Sequence, residues 1–179
     1  MGSTLLTAGI LLGITFLFIF LFSLKHKMEQ KKEKIERKKT ISEFIAANQL
    51  TLTEKEAFQN LFIAIDTNQE KLFYITYNNS GHESAILNLK CIKAAKVDSI
   101  EQNIYDEIKG RQVVVGRHVN KIQLQLSLKN NIEMLHYLPF YQAHVNGIDE
   151  LNTLKKRAEY WQELITHFCS CQNTGKLQA

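Results

Sequence analysis

The sequence predicts an α+β protein with an N-terminal transmembrane helix, then an antiparallel sheet that is strongly bent or forms a partly open barrel, capped by a C-terminal amphipathic helix. Three observations support this prediction. Residues 5–24 contain no charged side chain. Several runs between residues 61 and 141 alternate apolar and polar side chains, as strands do. Apolar residues between 148 and 168 recur at helical spacings of three and four.

The first element is the uncharged run LLTAGILLGITFLFIFLFSL, from Leu5 to Leu24. Twenty residues of α-helix rise about 30 Å, which matches the hydrocarbon core of a bilayer. The run starts without Lys or Arg and leads directly into Lys25, so we predict a retained membrane anchor over residues 1–24 and not a cleaved signal peptide. Gly9 and Gly13 form a small-xxx-small pair, which is predicted to let another membrane helix pack closely.

A basic segment follows, with eight Lys or Arg and three Glu between residues 25 and 39. The positive-inside rule then predicts a single-pass inner-membrane protein with its N-terminus outside and its C-terminal domain in the cytoplasm. Helix-forming residues predict a basic juxtamembrane helix over 25–49. The sequence leaves open whether this helix is continuous with the anchor. The candidate contacts for anionic lipid headgroups or an acidic partner are Lys25, Lys27, Lys31 and Lys32.

The basic segment also accounts for the positive charge of the whole chain. Its net charge is +5, and the chain carries +4, so the remaining residues sum to −1. This distribution argues against nucleic-acid binding, which needs a basic surface on the domain.

Residues 50–171 are predicted to form one β-rich domain, followed by a polar tail over 172–179. Thr53 and Glu56 have the spacing of a capping box, which predicts a short helical turn. The runs 61–65 and 72–77 flank a polar turn and predict a β-hairpin. Asp66 opens that turn, where a short side chain that caps its own backbone is expected.

Further strands are predicted along the rest of the domain. Strand-like runs lie at 84–89 and 91–97, whereas 98–110 has mixed spacing and fits either a long connection or a short helix. Residues 121–129 alternate strictly, which predicts a sheet with one wet face. In the run 132–141, Pro139 is predicted to lie at a strand end or on an edge strand.

The last element is an amphipathic helix over 148–168, with polar residues opposite its apolar stripe. Together, the segments FIAIDTNQEKLFYI, KIQLQLSLKN and LKKRAEYWQELI resemble those of uncharacterised bacterial single-pass membrane proteins with a pleckstrin-homology-like cytoplasmic domain. The resemblance covers roughly residues 60–168. It implies a fold and a scaffold role, and it implies no catalytic residue.

The sequence contains no motif for a catalytic, cofactor or metal site. Gly110 and Gly116 lack the spacing of a phosphate-binding loop. His167, Cys169 and Cys171 lack a fourth metal ligand nearby. We therefore predict a protein without catalytic residues, metal, cofactor or an identifiable small-molecule substrate.

One further basic concentration lies inside the domain. If it falls on a rim that faces the membrane, it is a candidate contact for a lipid headgroup or an acidic peptide. The alternative is a solvated strand edge whose charges discourage aggregation. The candidate residues are Arg111, Arg117 and Lys121.

These observations predict a non-catalytic, membrane-tethered interaction or scaffold module in the cytoplasm. Its expected partners are the lipid bilayer and another membrane or membrane-associated protein. Two alternatives stay open. The chain could be an accessory subunit of a larger inner-membrane complex that packs through Gly9 and Gly13, or a module that senses anionic lipids through its basic residues.

Overall fold

The structure is a computed structural model that describes the backbone of residues 2–78, 81–108, 111–129 and 135–171. Within these ranges it does not describe the side chains of residues 2–16, 18–19, 26, 30, 108 and 170–171. The chain divides into two compact units, Met1–Gln49 and Leu50–Ala179. Each unit is considered separately below.

The first unit is one continuous α-helix, α1, from Gly2 to Ala47. No proline interrupts it, and acidic and basic side chains four residues apart support its charged half, such as Lys39 and Glu43 at 3.7 Å. The helix ends where Gln49 adopts a left-handed backbone with a φ of 50°. The basic segment therefore continues the same helix as the apolar run.

The prediction of a transmembrane anchor is contradicted. Among the residues that the structure describes, no helix is both long and apolar enough to cross a membrane. Within the apolar run, the structure describes the side chains of Leu17 and of residues 20–24. Residues 5–16 of the predicted anchor, with Gly9 and Gly13, lie outside the described side chains.

The predicted location is corrected for the same reason. The sequence predicts a single-pass inner-membrane protein with its N-terminus outside and its C-terminal domain in the cytoplasm. That prediction depends on the transmembrane anchor. The finding on the described helices removes that basis.

Over its described residues, the second unit contains seven antiparallel strands in two sheets and one long helix. The first sheet has four strands in sequence order, β1 (Glu54–Ala57), β2 (Leu61–Asp66), β3 (Lys71–Asn78) and β4 (Gly81–Asn88). The second has three strands in sequence order, β5 (Ile92–Ile108), β6 (Arg111–Leu128) and β7 (Leu135–Gln142). The helix α2 spans Leu151–Cys171.

The predicted fold class, a single bent sheet or partly open barrel of the pleckstrin-homology type, is wrong. The described strands form two separate sheets, and neither is closed over the residues that the structure describes. The physical reason lies between β4 and β5, where the chain makes a 3-10 turn over Leu89–Cys91. Asn88 caps this turn by accepting a 2.9 Å hydrogen bond from the backbone N–H of Lys90. The chain therefore leaves the first sheet and starts another.

Two local predictions also need correction. The capping-box segment at Thr53 and Glu56 is not helical, because residues 54–57 form β1 and pair with β2. The segment 98–110 is neither a loop nor a helix over its described part, since residues 98–108 extend β5. Pairing with a neighbouring strand outweighs the local signal at both positions.

Other local predictions are confirmed. The hairpin of β2 and β3 has Ile65 opposite Leu72, and the carboxylate of Asp66 accepts a 2.9 Å hydrogen bond from the backbone N–H of Gln69 in the turn. Pro139 lies on β7, which is an edge strand, beside a register shift at Gln123. A missing N–H is tolerated at such a position.

The core of the second unit joins both sheets to α2. Side chains from β2, β3, β6, β7 and α2 form one buried apolar cluster. Trp161 is completely buried on α2, flanked along the helix by the buried Ala158 and Ile165. The helix starts three residues later than predicted, because a 3-10 turn over Ile148–Glu150 precedes it.

Candidate functional site: the β5–β6 arm

Strands β5 and β6 are much longer than the third strand of their sheet. β7 pairs with β6 only from Lys121 to Ser127, whereas β5 and β6 stay paired out to Ile108 and Arg111. At about 3.4 Å per residue, this extension is about 30 Å long. We define it as the arm, residues 100–108 and 111–120. Over the described residues, no third strand pairs with either edge of the arm.

Two register shifts shape the arm. One lies between Ile100 and Glu101, and the other lies between Ile104 and Tyr105. Each shift places an extra residue in β6, and such bulges bend a strand and increase its twist. Near the second shift, Gly116 leaves space that the Ile104 side chain covers, with its Cδ1 3.6 Å from where a Cβ on Gly116 would lie.

The arm exposes large apolar side chains that strands normally bury. Six of them have exposed fractions between 41% and 58%. β-Branched and aromatic residues favour strands, but exposing them together to water is unfavourable. Exposed apolar side chains grouped along one element mark an interaction site in many proteins. The six residues are Ile100, Ile104, Tyr105, Val113, Val114 and Val115.

The face of the sheet that points away from the core changes from polar to apolar side chains along β5. Next to the core this face carries the polar residues Lys96 and Asp98 on alternate positions. Farther out, the same face carries Ile100 and Ile104, and Val113 of β6 is on it as well. We call this side of the arm the outer face. Its apolar part begins where contact with the core ends.

The opposite face belongs to the core. Leu124 and Leu126 of β6 point to it and are buried, and their partners on β5 are Val97 and Ala95. Along the arm this face continues with Tyr105, which pairs with Val114. Both faces of the arm therefore carry exposed apolar side chains.

Charges on the arm are separated by strand. The acidic residues Glu101, Asp106 and Glu107 lie on β5, whereas Arg111 and Arg117 lie on β6. Residues 101–120 contain three acidic and three basic side chains, so the segment has no net charge. The arm thus has an acidic strand and a basic strand, and Lys109 between them in the sequence brings the net charge of residues 101–120 to zero.

The structure does not bring the predicted basic contacts of the domain together. Arg111 lies at the far end of the arm and Lys121 at its base, about 30 Å apart along the strand. Arg117 lies between them on the opposite face and approaches Glu101 at 4.0 Å. These three residues form no common pocket for one headgroup.

The predicted basic contacts of the first unit all lie on α1. Lys25 approaches Glu29 at 4.0 Å, in an exposed pair that contributes little free energy. Whether these residues bind an anionic ligand stays a prediction. The four residues are Lys25, Lys27, Lys31 and Lys32.

A second candidate is a buried polar pair between the two sheets. The hydroxyl of Tyr74 on β3 lies 2.6 Å from Nδ1 of His136 on β7. Burial raises the pKa of Tyr74, with a further contribution from the charge of Glu83, and burial lowers the pKa of His136. Nε2 of His136 is buried without a hydrogen-bond partner. The pair joins the sheets and has no nucleophile beside it among the described contacts.

Within the described part of the chain, no three His, Cys, Asp or Glu side chains are grouped as a metal site. Cys169 lies near the end of α2 and places its Sγ 3.6 Å from the carbonyl oxygen of Leu89. Burial raises the pKa of its thiol.

Comparisons with known proteins give no relative for this chain. No family model matches it, and neither the curated proteins nor the solved structures contain a match. The expected resemblance to bacterial single-pass proteins is untested by these comparisons and stays a prediction. The arm itself was missed in the sequence, although Ile100, Ile104 and Ile108 share a strand face and the run 113–115 is rich in β-branched residues.

Proposed function

We propose that this chain is a non-catalytic protein-interaction module and that the arm is its binding element. The observation that supports this proposal best is the apolar outer face, which lies beyond the core and carries Ile100, Ile104 and Val113. Burying such side chains against a partner is favourable by about 25 cal/mol for each Å² removed from water.

The shape of the arm suits this role. An isolated two-stranded hairpin is only marginally stable in water, so an extension of about 30 Å is expected to gain stability from a partner. Its two free edges also offer backbone donors and acceptors to an added strand. A partner can therefore use apolar and backbone contacts at once.

The two alternatives from the sequence have less support. Lipid sensing by the domain would need its basic residues to converge, whereas Arg111, Arg117 and Lys121 lie apart. Assembly through Gly9 and Gly13 concerns residues outside the described side chains. The arm therefore has the most support as the binding element.

A site-specific cross-linking experiment tests the proposal. A photoreactive amino acid replaces Gln102 or His118 on the outer face of the arm in the full chain, expressed in its source cells. The control position is Glu163, an exposed residue on α2. We expect the two arm positions to give an adduct with a second polypeptide after irradiation, and the α2 position to give none. Arm positions that yield no adduct, or no more than Glu163, would contradict the proposal.

A further inference from the structure

We infer that the polypeptide bound by the outer face of the arm is a second copy of this chain. The inference rests on the proposed function and names the partner for the same site. The outer face has charges that a two-fold rotation pairs with opposite charges, and it has apolar residues between those charges.

The outer face carries opposite charges on its two strands. On the arm, Asp106 lies on β5 and Arg111 lies on β6, opposite Ile108. At the base of the arm the same face carries Asp98 on β5 and Lys121 on β6, opposite Ile100, and Lys96 of β5 lies farther toward the core. A partner complementary to this pattern needs basic residues over β5 and acidic residues over β6. The arm of a second copy supplies both, because a two-fold rotation places its basic strand over β5 and its acidic strand over β6.

The geometry selects one arrangement of the two copies. A two-fold axis parallel to the arm stacks the outer faces, with β5 of each copy over β6 of the other and both arms pointing the same way. Arg111 is level with Ile108, two residues beyond Asp106, and Lys121 is level with Ile100, two residues beyond Asp98. Two residues along a strand span about 7 Å and stacked sheet faces lie about 10 Å apart, a separation that a long basic side chain and a facing Asp side chain bridge together.

The other arrangements of two arms fit less well. Two-fold pairing along an edge would join β5 to β5 or β6 to β6 and so place like charges side by side. Head-to-tail pairing of β5 with β6 would match the charges but would not close, and it would continue into a filament. Stacking of the outer faces gives a closed dimer and also places opposite charges against each other.

The apolar residues occupy the middle of the stacked faces. Ile104 and Gly116 pair within one arm and the Ile104 side chain covers Gly116, so the rotation brings the Ile104 side chains of the two copies next to each other at the axis. Val113 lies farther out, level with Asp106, and Ile100 lies farther in, level with Lys121, while Gln102 and His118 lie between Ile100 and Ile104 on the same face. A central apolar patch with a charged rim is the usual anatomy of an interface.

Sedimentation of the full chain over a range of concentrations tests the inference first. We expect a reversible dimer, and we expect Val113→Lys to weaken self-association at least tenfold, as truncation of a central residue does in other interfaces. The matched control is Gln112→Lys, which adds the same charge one residue away on the opposite face. A monomeric wild type, or equal dissociation constants for the two variants, would overturn the inference.

A charge exchange tests the predicted symmetry. Asp106→Arg and Arg111→Asp should each weaken self-association at least tenfold, because each variant dimer contains two like-charged contacts. An equimolar mixture of the two variants should form a mixed dimer, in which both contacts are attractive again. If the mixture associates no better than either variant alone, two-fold stacking of the outer faces is wrong. Both substitutions are on the exposed arm, outside the core.

The result also separates this inference from the proposed function. If the chain is monomeric and its arm still cross-links to a different protein, the second copy is wrong and the interaction module stands. If the arm cross-links to nothing and Val113→Lys leaves sedimentation unchanged, both are wrong.

Discussion

Asp66 is a buried carboxylate that remains ionised at the end of β2. Burial alone would raise the pKa of its carboxyl, but backbone N–H groups of Gln69, Thr51 and Asn68, aided by the charge of Lys71, lower the pKa below 3.8. Its Oδ2 accepts a 2.7 Å hydrogen bond from the backbone N–H of Thr51. The side chain thereby ties the start of the second unit to the first hairpin turn.

Replacing Asp66 with Ala should therefore lower the free energy of unfolding by about 2–4 kcal/mol, because several backbone N–H groups lose an ionised acceptor. Asp66→Asn keeps an acceptor and should cost about half as much. Urea denaturation measures both. As a control, Asp98→Ala removes a half-buried acid with one long contact of 3.4 Å, and its effect should stay near 0.5 kcal/mol. Equal losses at the two positions would contradict this account of Asp66.

His136 predicts a dependence of stability on pH. Burial lowers the pKa of His136 in the folded chain below the unfolded value of 6.5. Between the two pKa values the unfolded chain binds more protons, and the stabilisation is lost as the pH falls below 6.5. We expect the urea midpoint to fall between pH 7.5 and pH 5.5, and the His136→Gln variant to lose part of that slope. An unchanged slope in the variant would show that His136 is not responsible.

At the scale of elements, one acidic side chain links β1 to α2. Glu56 accepts hydrogen bonds from Arg157 Nε at 2.8 Å and from Trp161 Nε1 at 2.8 Å. The hydrogen bond from Glu56 raises the pKa of Arg157, whose guanidinium also lies 4.7 Å from the ring of Tyr160. Glu56 thus holds the edge strand of the first sheet against the helix that packs on the second.

Glu56→Ala should lower the free energy of unfolding by about 2–3 kcal/mol, mainly because the buried indole N–H of Trp161 loses its acceptor. The ion pair with Arg157 is partly exposed and adds little. Glu56→Gln should be milder, since its amide oxygen still accepts. The matched control is Lys55→Ala on the exposed side of the same strand. Equal losses in the free energy of unfolding for Lys55→Ala and Glu56→Ala would contradict this prediction.

At the scale of the whole second unit, the core and the arm are distinct. The buried cluster draws on both sheets and α2, whereas the described side chains of the arm beyond Glu101 contribute only the partly buried Val119. Stability should therefore depend on the cluster, and association should depend on the arm.

Shortening the arm tests this separation. Glu101 pairs with Val119, so replacing residues 102–118 with Asn-Gly should close a tight hairpin at that pair. We expect the free energy of unfolding to change by no more than about 1 kcal/mol, because an exposed two-stranded hairpin adds little stability. Fluorescence of Trp161, the single tryptophan, reports unfolding. Self-association should be lost, and a shortened chain that still forms the wild-type dimer would place the interface elsewhere.

Local patterns were enough to predict several elements of this protein. The hairpin of β2 and β3, the strand around Leu124 and the buried stripe of α2 with Trp161 follow from side-chain periodicity, because each element must bury one face. Pro139 on an edge strand follows from its missing N–H.

Long-range pairing decided the rest. The division into two sheets, the strand at Glu56 and the extension of β5 to Ile108 depend on which strands lie side by side, and one turn or one hydrogen-bond partner outweighs a weak local preference. The arm could not be recognised from its composition, because Ile100, Ile104 and Val113 look like core residues until the tertiary structure shows that the core ends before them.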